Sequence, residues 1–315
     1  MKSILIFGKG QLGTAYRQYF ENKPEKFKVF VAQNVDVRDF EHVRKIIQEQ
    51  KPEAVLNAVA KTNIDWCEQN REECFAVNTL GADNIAAACQ EIGIYLVHLS
   101  TGCIQESKTA QEMHREEDPV NPLCFYSWTK IWAEQMLNDR STHRGSGSRM
   151  PLPIKTLILR PRQLLSSIVS PRNALTKMLT YSKFIDTPNS CTIVDDLLWV
   201  TERLMDQGAT GIYNVINPGV ITPLEIAWIL KEMLQLDMEI TKISKEELDR
   251  MTLAKRIDSV LSGKKLAAEG IELPEIHVRL REIITVFKKN LEESSAQGVV
   301  QKVTEETKQK LSLAK

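Results

Sequence analysis

The stretch Ile4-Leu5-Ile6-Phe7-Gly8-Lys9-Gly10-Gln11-Leu12-Gly13 joins a short apolar run to three glycines spaced GxGxxG, and a helix-like segment over residues 11–19 follows. An apolar run, a glycine-rich turn and a helix in that order open a βαβ unit. Each glycine has a task there. One turns the chain tightly, one lets a pyrophosphate approach the backbone, and one packs helix on strand. The helix start then presents unpaired N–H groups and a positive dipole end to phosphate. Gly8, Lys9, Gly10, Gln11, Leu12 and Gly13 are therefore candidates for binding a dinucleotide, the alternative being a merely structural turn.

The alternation continues from that unit. Residues 28–31, 54–58, 95–99 and 154–159 read as strands, and residues 40–49 and 80–92 as helices, the last stopped by Gly93. Strands alternating with helices predict a mostly parallel sheet covered on both faces, and right-handed crossovers make it doubly wound. The expected fold is α/β, a Rossmann-type doubly wound parallel sheet with a smaller C-terminal substrate-binding lobe. The Rossmann domain is expected over residues 1–160 and the lobe mainly over 161–290, with some segments returning to the first domain. Residues 173–181 and 223–234 read as helices of the lobe. Residues 141–153 read as an exposed loop, and residues 291–315 as a polar tail.

Composition narrows the function. The 315 residues are 43% hydrophobic and 26% charged, with 41 basic and 41 acidic side chains, so nothing favours nucleic acid or an anionic membrane as partner. No apolar run approaches the roughly 18 residues of a membrane span. The start of the chain reads as a buried strand rather than a signal peptide. Six cysteines without CxxC pairing argue against a zinc site or a disulfide framework and for a reducing compartment, the cytoplasm.

Cofactor preference turns on the end of the second strand, Val31-Ala32-Gln33-Asn34, which lacks the carboxylate that binds ribose in NAD enzymes. Asp36 and Asp39 follow, better placed beside an adenine, Val37 between them is also a cofactor-binding candidate, and Lys9 can meet a 2′-phosphate, so NADP(H) is favoured over NAD(H). Tyr126 and Lys130 stand four apart in a helix-like run and share a face. A free tyrosine titrates at about 10, too high for proton exchange at neutral pH, and a nearby ammonium lowers it. The strand ending Leu99-Ser100-Thr101 brings hydroxyls to the carboxyl edge of the sheet, where α/β folds bind ligands. Thr101 is expected to bond a substrate carbonyl, with Ser100 behind it or serving as a strand-end turn residue.

The glycine loop, Asn57-Ala58-Val59-Ala60, Asn78-Thr79, Ser100-Thr101 and Tyr126-Lys130 together resemble the extended short-chain dehydrogenase/reductases. Within them the chain is similar to the dTDP-4-dehydrorhamnose reductases. Residues 63–68 (NIDWCE), 100–106 (STGCIQE), 125–130 (FYSWTK), 171–198 and 214–226 resemble the plant bifunctional UDP-4-keto-6-deoxyglucose 3,5-epimerase/4-reductases. That resemblance implies an NADPH-dependent nucleotide-sugar oxidoreductase, also an epimerase, that forms UDP- or dTDP-rhamnose. It implies cofactor contacts by Asn57, Ala58 and Val59 and catalysis by Thr101, Tyr126 and Lys130. It assigns epimerisation to Cys103 and Lys177, and substrate contacts to Ser100, Thr101, Cys103, Asn173 and Arg256. The partner implied is a nucleotide-sugar, and a homodimer is compatible with the reading. The loop is one residue shorter than the family's usual GxxGxxG, and Ser262 stands as a helix cap where relatives have an acidic residue. Two alternatives remain: a reductase acting after a separate epimerase, and a non-catalytic regulatory subunit of the methionine adenosyltransferase type.

Overall fold

The computed structural model describes residues 1–142 and 153–296. Most of the expected loop and the tail beyond Ala296 lie outside the described residues. In chain order the elements begin β1 (Lys2–Phe7), α1 (Gln11–Glu21), β2 (Phe27–Ala32), α2 (Phe40–Gln50) and β3 (Ala54–Asn57). Two short helices, α3 (Ile64–Gln69) and α4 (Arg71–Phe75), lead through a π-helical turn (Ala76–Leu80) into α5 (Gly81–Ile92), β4 (Tyr95–Leu99), α6 (Phe125–Thr142) and β5 (Thr156–Pro161). Then come β6 (Leu164–Leu165), α7 (Ala174–Met178), β7 (Lys183–Ile185), β8 (Asn189–Ile193), α8 (Val194–Gln207) and β9 (Gly211–Val215). The rest are β10 (Asn217–Ile221), α9 (Pro223–Leu234), β11 (Thr241–Ile243), α10 (Lys245–Met251), α11 (Lys264–Ala268) and α12 (Ile276–Ala296).

Two compact units divide the chain. The first holds Met1–Ile104, Pro122–Arg160 and Leu198–Tyr213. Its sheet runs β2-β1-β3-β4-β5-β9, with β1, β2, β3, β4 and β5 paired in parallel. Alternate strand residues face opposite sides. Leu5, Phe7, Val55, Leu96 and Ile158 pack with Val43 and Ile47 of α2, Ile85 of α5 and Leu137 of α6. Ile4 and Ile6 point the other way and are equally buried. On α1, Tyr16 and Tyr19 hydrogen-bond Thr201 and Glu202 of α8 at 2.6 and 2.5 Å. The sheet is thus doubly wound. Its strand order reverses around β1, and at such a switch point the carboxyl ends of the strands leave a crevice for ligand.

Local chemistry accounts for the helix ends. Asp39 caps α2 by accepting from the His42 N–H at 3.1 Å. Gly93 ends α5 with a φ of 72°. The second unit comprises Gln105–Asn121, Pro161–Leu197 and the described residues from Asn214 onward. It contains a β10-β8-β6 sheet and a β11-β7 pair, with Phe184, Ile193, Ile226, Leu230, Leu280 and Phe287 in one core. A reciprocal capping box between Thr222 and Glu225, with Pro223 in the first turn, starts α9 at the expected residue. Ser262 does not cap α11: the cap position is Gly263, and Ser262 Oγ only accepts from the Lys264 N–H at 3.4 Å. No helix among the described residues is long and apolar enough to cross a membrane.

Candidate active site

The glycine loop leaves β1 at the switch point. Gly8 has a φ of 115°, and a Cβ on it would stand 2.8 Å from the Ala58 carbonyl group. On Gly13 a Cβ would stand 2.1 Å from the Gly8 oxygen. The turn therefore closes only with glycine at both positions. Gly10 is the N-cap of α1, and no side chain caps the first-turn N–H groups. Gln11 Nε2 is buried without a hydrogen-bond partner among the described residues. An open helix start with an orphaned amide beside it fits a dinucleotide pyrophosphate. Leu12, Ala58 and Val59 are half-buried around the loop.

Lys9 Nζ donates to Asn34 Oδ1 at 3.1 Å, which puts a cation at the end of β2. Asp36 is engaged by Arg38, with Nε to Oδ1 at 2.9 Å and Nη2 to Oδ2 at 2.6 Å. Those hydrogen bonds hold its pKa at about 2. Val37 is buried in the core of the unit.

The strand faces that carry apolar residues toward α6 end in polar ones. Asn57 continues the side of Val55, His98 and Ser100 that of Leu96, and Arg160 that of Ile158. All four are buried, as are Lys130 and Glu134 on α6. Lys130 Nζ lies 2.8 Å from the Leu99 carbonyl oxygen and 3.1 Å from His98 Nε2. Burial pulls Lys130 down to about 8, against the opposing influence of Glu134 and Cys74. Arg160 holds Glu134 through Nε at 2.9 Å and Nη2 at 2.5 Å, and Ser100 Oγ donates to the same carboxylate. Ser100 thus anchors to α6. Asn78 and Thr79 pin the same helix, to Thr129 Oγ1 at 3.0 Å and the Thr129 oxygen at 2.8 Å.

Thr101, Cys103 and Tyr126 form a second group. Thr101 Oγ1 accepts from the Cys103 N–H at 3.1 Å, and the Thr101 side chain acts on the Tyr126 phenol. Burial, then the nearby Cys103 thiol, raises the Tyr126 pKa, and Thr101 opposes them. Here the expectation fails, because desolvation of the phenolate outweighs any help from the ammonium. Tyr126 is held as a phenol, a proton donor.

Three expected site residues lie in the second unit. Lys177 is half-buried on α7. Arg256 is half-buried and acts electrostatically on Tyr181. Asn173 is fully buried and caps α7. Its Nδ2 donates to the Ser166 and Ile168 oxygens at 2.7 and 2.8 Å, and its Oδ1 accepts from the Leu175 N–H. These bonds give Asn173 a scaffolding role.

A family model described as RmlD substrate binding domain matches residues 1–289. The chain belongs to that family. A bifunctional dTDP-4-dehydrorhamnose 3,5-epimerase/dTDP-4-dehydrorhamnose reductase of Arabidopsis thaliana is 32% identical over 263 residues, 81% of this chain and 83% of the relative. A trifunctional UDP-glucose 4,6-dehydratase/UDP-4-keto-6-deoxy-D-glucose 3,5-epimerase/UDP-4-keto-L-rhamnose-reductase of the same plant is 32% identical over 253 residues, 78% of this chain. The chain spans about a third of that relative's length, 36%. Among solved structures, the UDP-rhamnose synthase of Acanthamoeba polyphaga mimivirus superposes with a TM-score of 0.80 at 27% identity, covering 90% of this chain and 99% of that one. A dTDP-4-dehydrorhamnose reductase from Clostridium acetobutylicum gives 0.79 at 25% identity, covering 91% and 99%.

In this RmlD-family chain the sequence reading missed His98, Glu134 and Arg160. A signal existed for each. His98 and Arg160 are polar residues at inward positions of apolar strands, and Glu134 lies one turn beyond Lys130.

Proposed function

We propose that the chain reduces the 4-keto group of a nucleotide-linked 4-keto-6-deoxyhexose with NADPH and also epimerises carbons 3 and 5, forming UDP- or dTDP-rhamnose. The observation that carries this reading is Thr101, which accepts from the Cys103 N–H at 3.1 Å and acts on the buried Tyr126 phenol, in a chain 32% identical to a bifunctional epimerase/reductase. Gly8, Gly10, Gln11 and Gly13 cradle the pyrophosphate, and Lys9 beside Asn34 meets a 2′-phosphate. NADPH, when bound, supplies the hydride. Thr101 hydrogen-bonds the sugar carbonyl, and Tyr126, held protonated, delivers its proton to that oxygen during reduction. Before it, the ketone acidifies the hydrogens on carbons 3 and 5. Of Cys103 and Lys177, one removes a proton and the other returns one to the opposite face, while Tyr126 and Thr101 stabilise the enolate oxygen. Arg256 meets the diphosphate.

The test is incubation of the protein with NADPH and UDP-4-keto-6-deoxyglucose in deuterium oxide, with products read by NMR. Rhamnose labelled at carbons 3 and 5 is the expected product, and Cys103→Ala should lose that label while still reducing pre-epimerised substrate. Turnover without label leaves a reductase alone, and no cofactor oxidation sinks the proposal.

A further inference from the structure

The resemblance to extended reductases implies a catalytic role for Lys130, but assigns nothing to the imidazole against it. His98, Asn57 and Lys130 are all buried, and His98 and Asn57 are register partners on β4 and β3. Asn57 Nδ2 lies 3.2 Å from His98 Nδ1, and His98 Nε2 lies 3.1 Å from Lys130 Nζ. The Asn57 amide has one workable orientation, because its Oδ1 accepts the Val59 N–H at 3.0 Å. Turned over, it would set two donors face to face. Its Nδ2 therefore donates to His98 Nδ1, so Nδ1 is the bare nitrogen and the ring hydrogen sits on Nε2. That hydrogen points at Lys130. An ammonium carries three donors and no lone pair, whereas a neutral amine can accept.

We propose that His98, held by Asn57 as its Nε2–H tautomer, is a positioning residue that favours the neutral amine of Lys130 and so sets the pH at which Lys130 changes charge. The role of that charge in turnover rests on the function proposed above. The geometry does not. Burial acts in the same direction, lowering Lys130 and keeping His98 unprotonated, with the Lys130 charge adding to the effect on His98. The other titratable groups acting on Lys130 are Glu134 from α6 and Cys74 from α4, both favouring the ammonium. Arg160 from β5 offsets Glu134 by binding its carboxylate. Against that balance, the hydrogen on His98 Nε2 tips Lys130 toward the amine.

The test is NMR on the full chain without cofactor, with ¹⁵N-labelled histidine and ¹³C-labelled lysine, the Lys130 and His98 signals assigned through Lys130→Met and His98→Gln. The expected result is a bare Nδ1 on His98 and a Lys130 midpoint near 8. In His98→Gln, whose amide can turn its oxygen to the ammonium, the midpoint should rise by about one pH unit. An Nδ1–H tautomer above the Lys130 midpoint, or an unmoved midpoint in folded His98→Gln, overturns the proposal. Should that variant not fold, Asn57→Asp replaces it: the carboxylate accepts from Nδ1 and draws the ring hydrogen there, and an unchanged tautomer refutes the lock. The pH profile of NADPH oxidation should move with the Lys130 midpoint. The expected NMR without any turnover defeats the functional reading and leaves this one standing, while turnover with an Nδ1–H ring does the reverse.

Discussion

Arg160 and Glu134 form an ion pair with side chains 4% and 5% exposed, beneath Ser100 and one helical turn from Lys130. A pair this deep loses much of its attraction to desolvation, but removing one partner strands the other charge. Arg160→Met should therefore destabilise the protein by roughly 3–5 kcal/mol in urea unfolding. The double variant with Glu134→Leu should recover most of that loss. A cost below about 1 kcal/mol for Arg160→Met would show that water reaches the carboxylate. Ser100 belongs to the same network, which is why its hydroxyl anchors α6.

At the scale of the element, the glycine loop is a steric device. A Cβ at Gly13 would meet backbone 2.1 Å away, whereas at Gly93, where φ is 72°, nothing lies within 4 Å. Gly13→Ala must push α1 off β1, so NADPH binding in a fluorescence titration should be lost together with stability. Gly93→Ala carries only local strain of about 1 kcal/mol and should bind NADPH unchanged. Equal binding by both variants would remove the loop from the cofactor site.

Across the whole molecule, the chain returns late to the first unit. Glu202 on α8 takes hydrogen bonds from Tyr19 at 2.5 Å, from Lys26 at 2.6 Å and from Lys23. Burial alone would raise its pKa, but these bonds bring it to about 2. A folded value below the unfolded one means that the contribution is full above pH 4.5 and fades as pH falls toward 2. In thermal unfolding, Glu202→Gln should be less stable than wild type at pH 7, with the gap closing by pH 2–3. A gap independent of pH would assign the loss to packing instead.

Periodicity and local chemistry made much of this legible from residues alone. The run through Gly13 announced the switch-point loop, β4 and α9 fell on the expected residues, and Gly93 ended α5 because only a residue tolerant of positive φ fits there. Tyr126 and Lys130 were readable because helical spacing sets them on one face. Their charge states were not, since burial enters no motif, and desolvation raises the one and lowers the other. Nor could spacing show that Asn173 binds the backbone at Ser166 and Ile168. His98, Glu134 and Arg160 come from β4, α6 and β5, and their roles exist only where those elements meet. Strand alternation states which side a residue faces, and tertiary packing decides what it finds there.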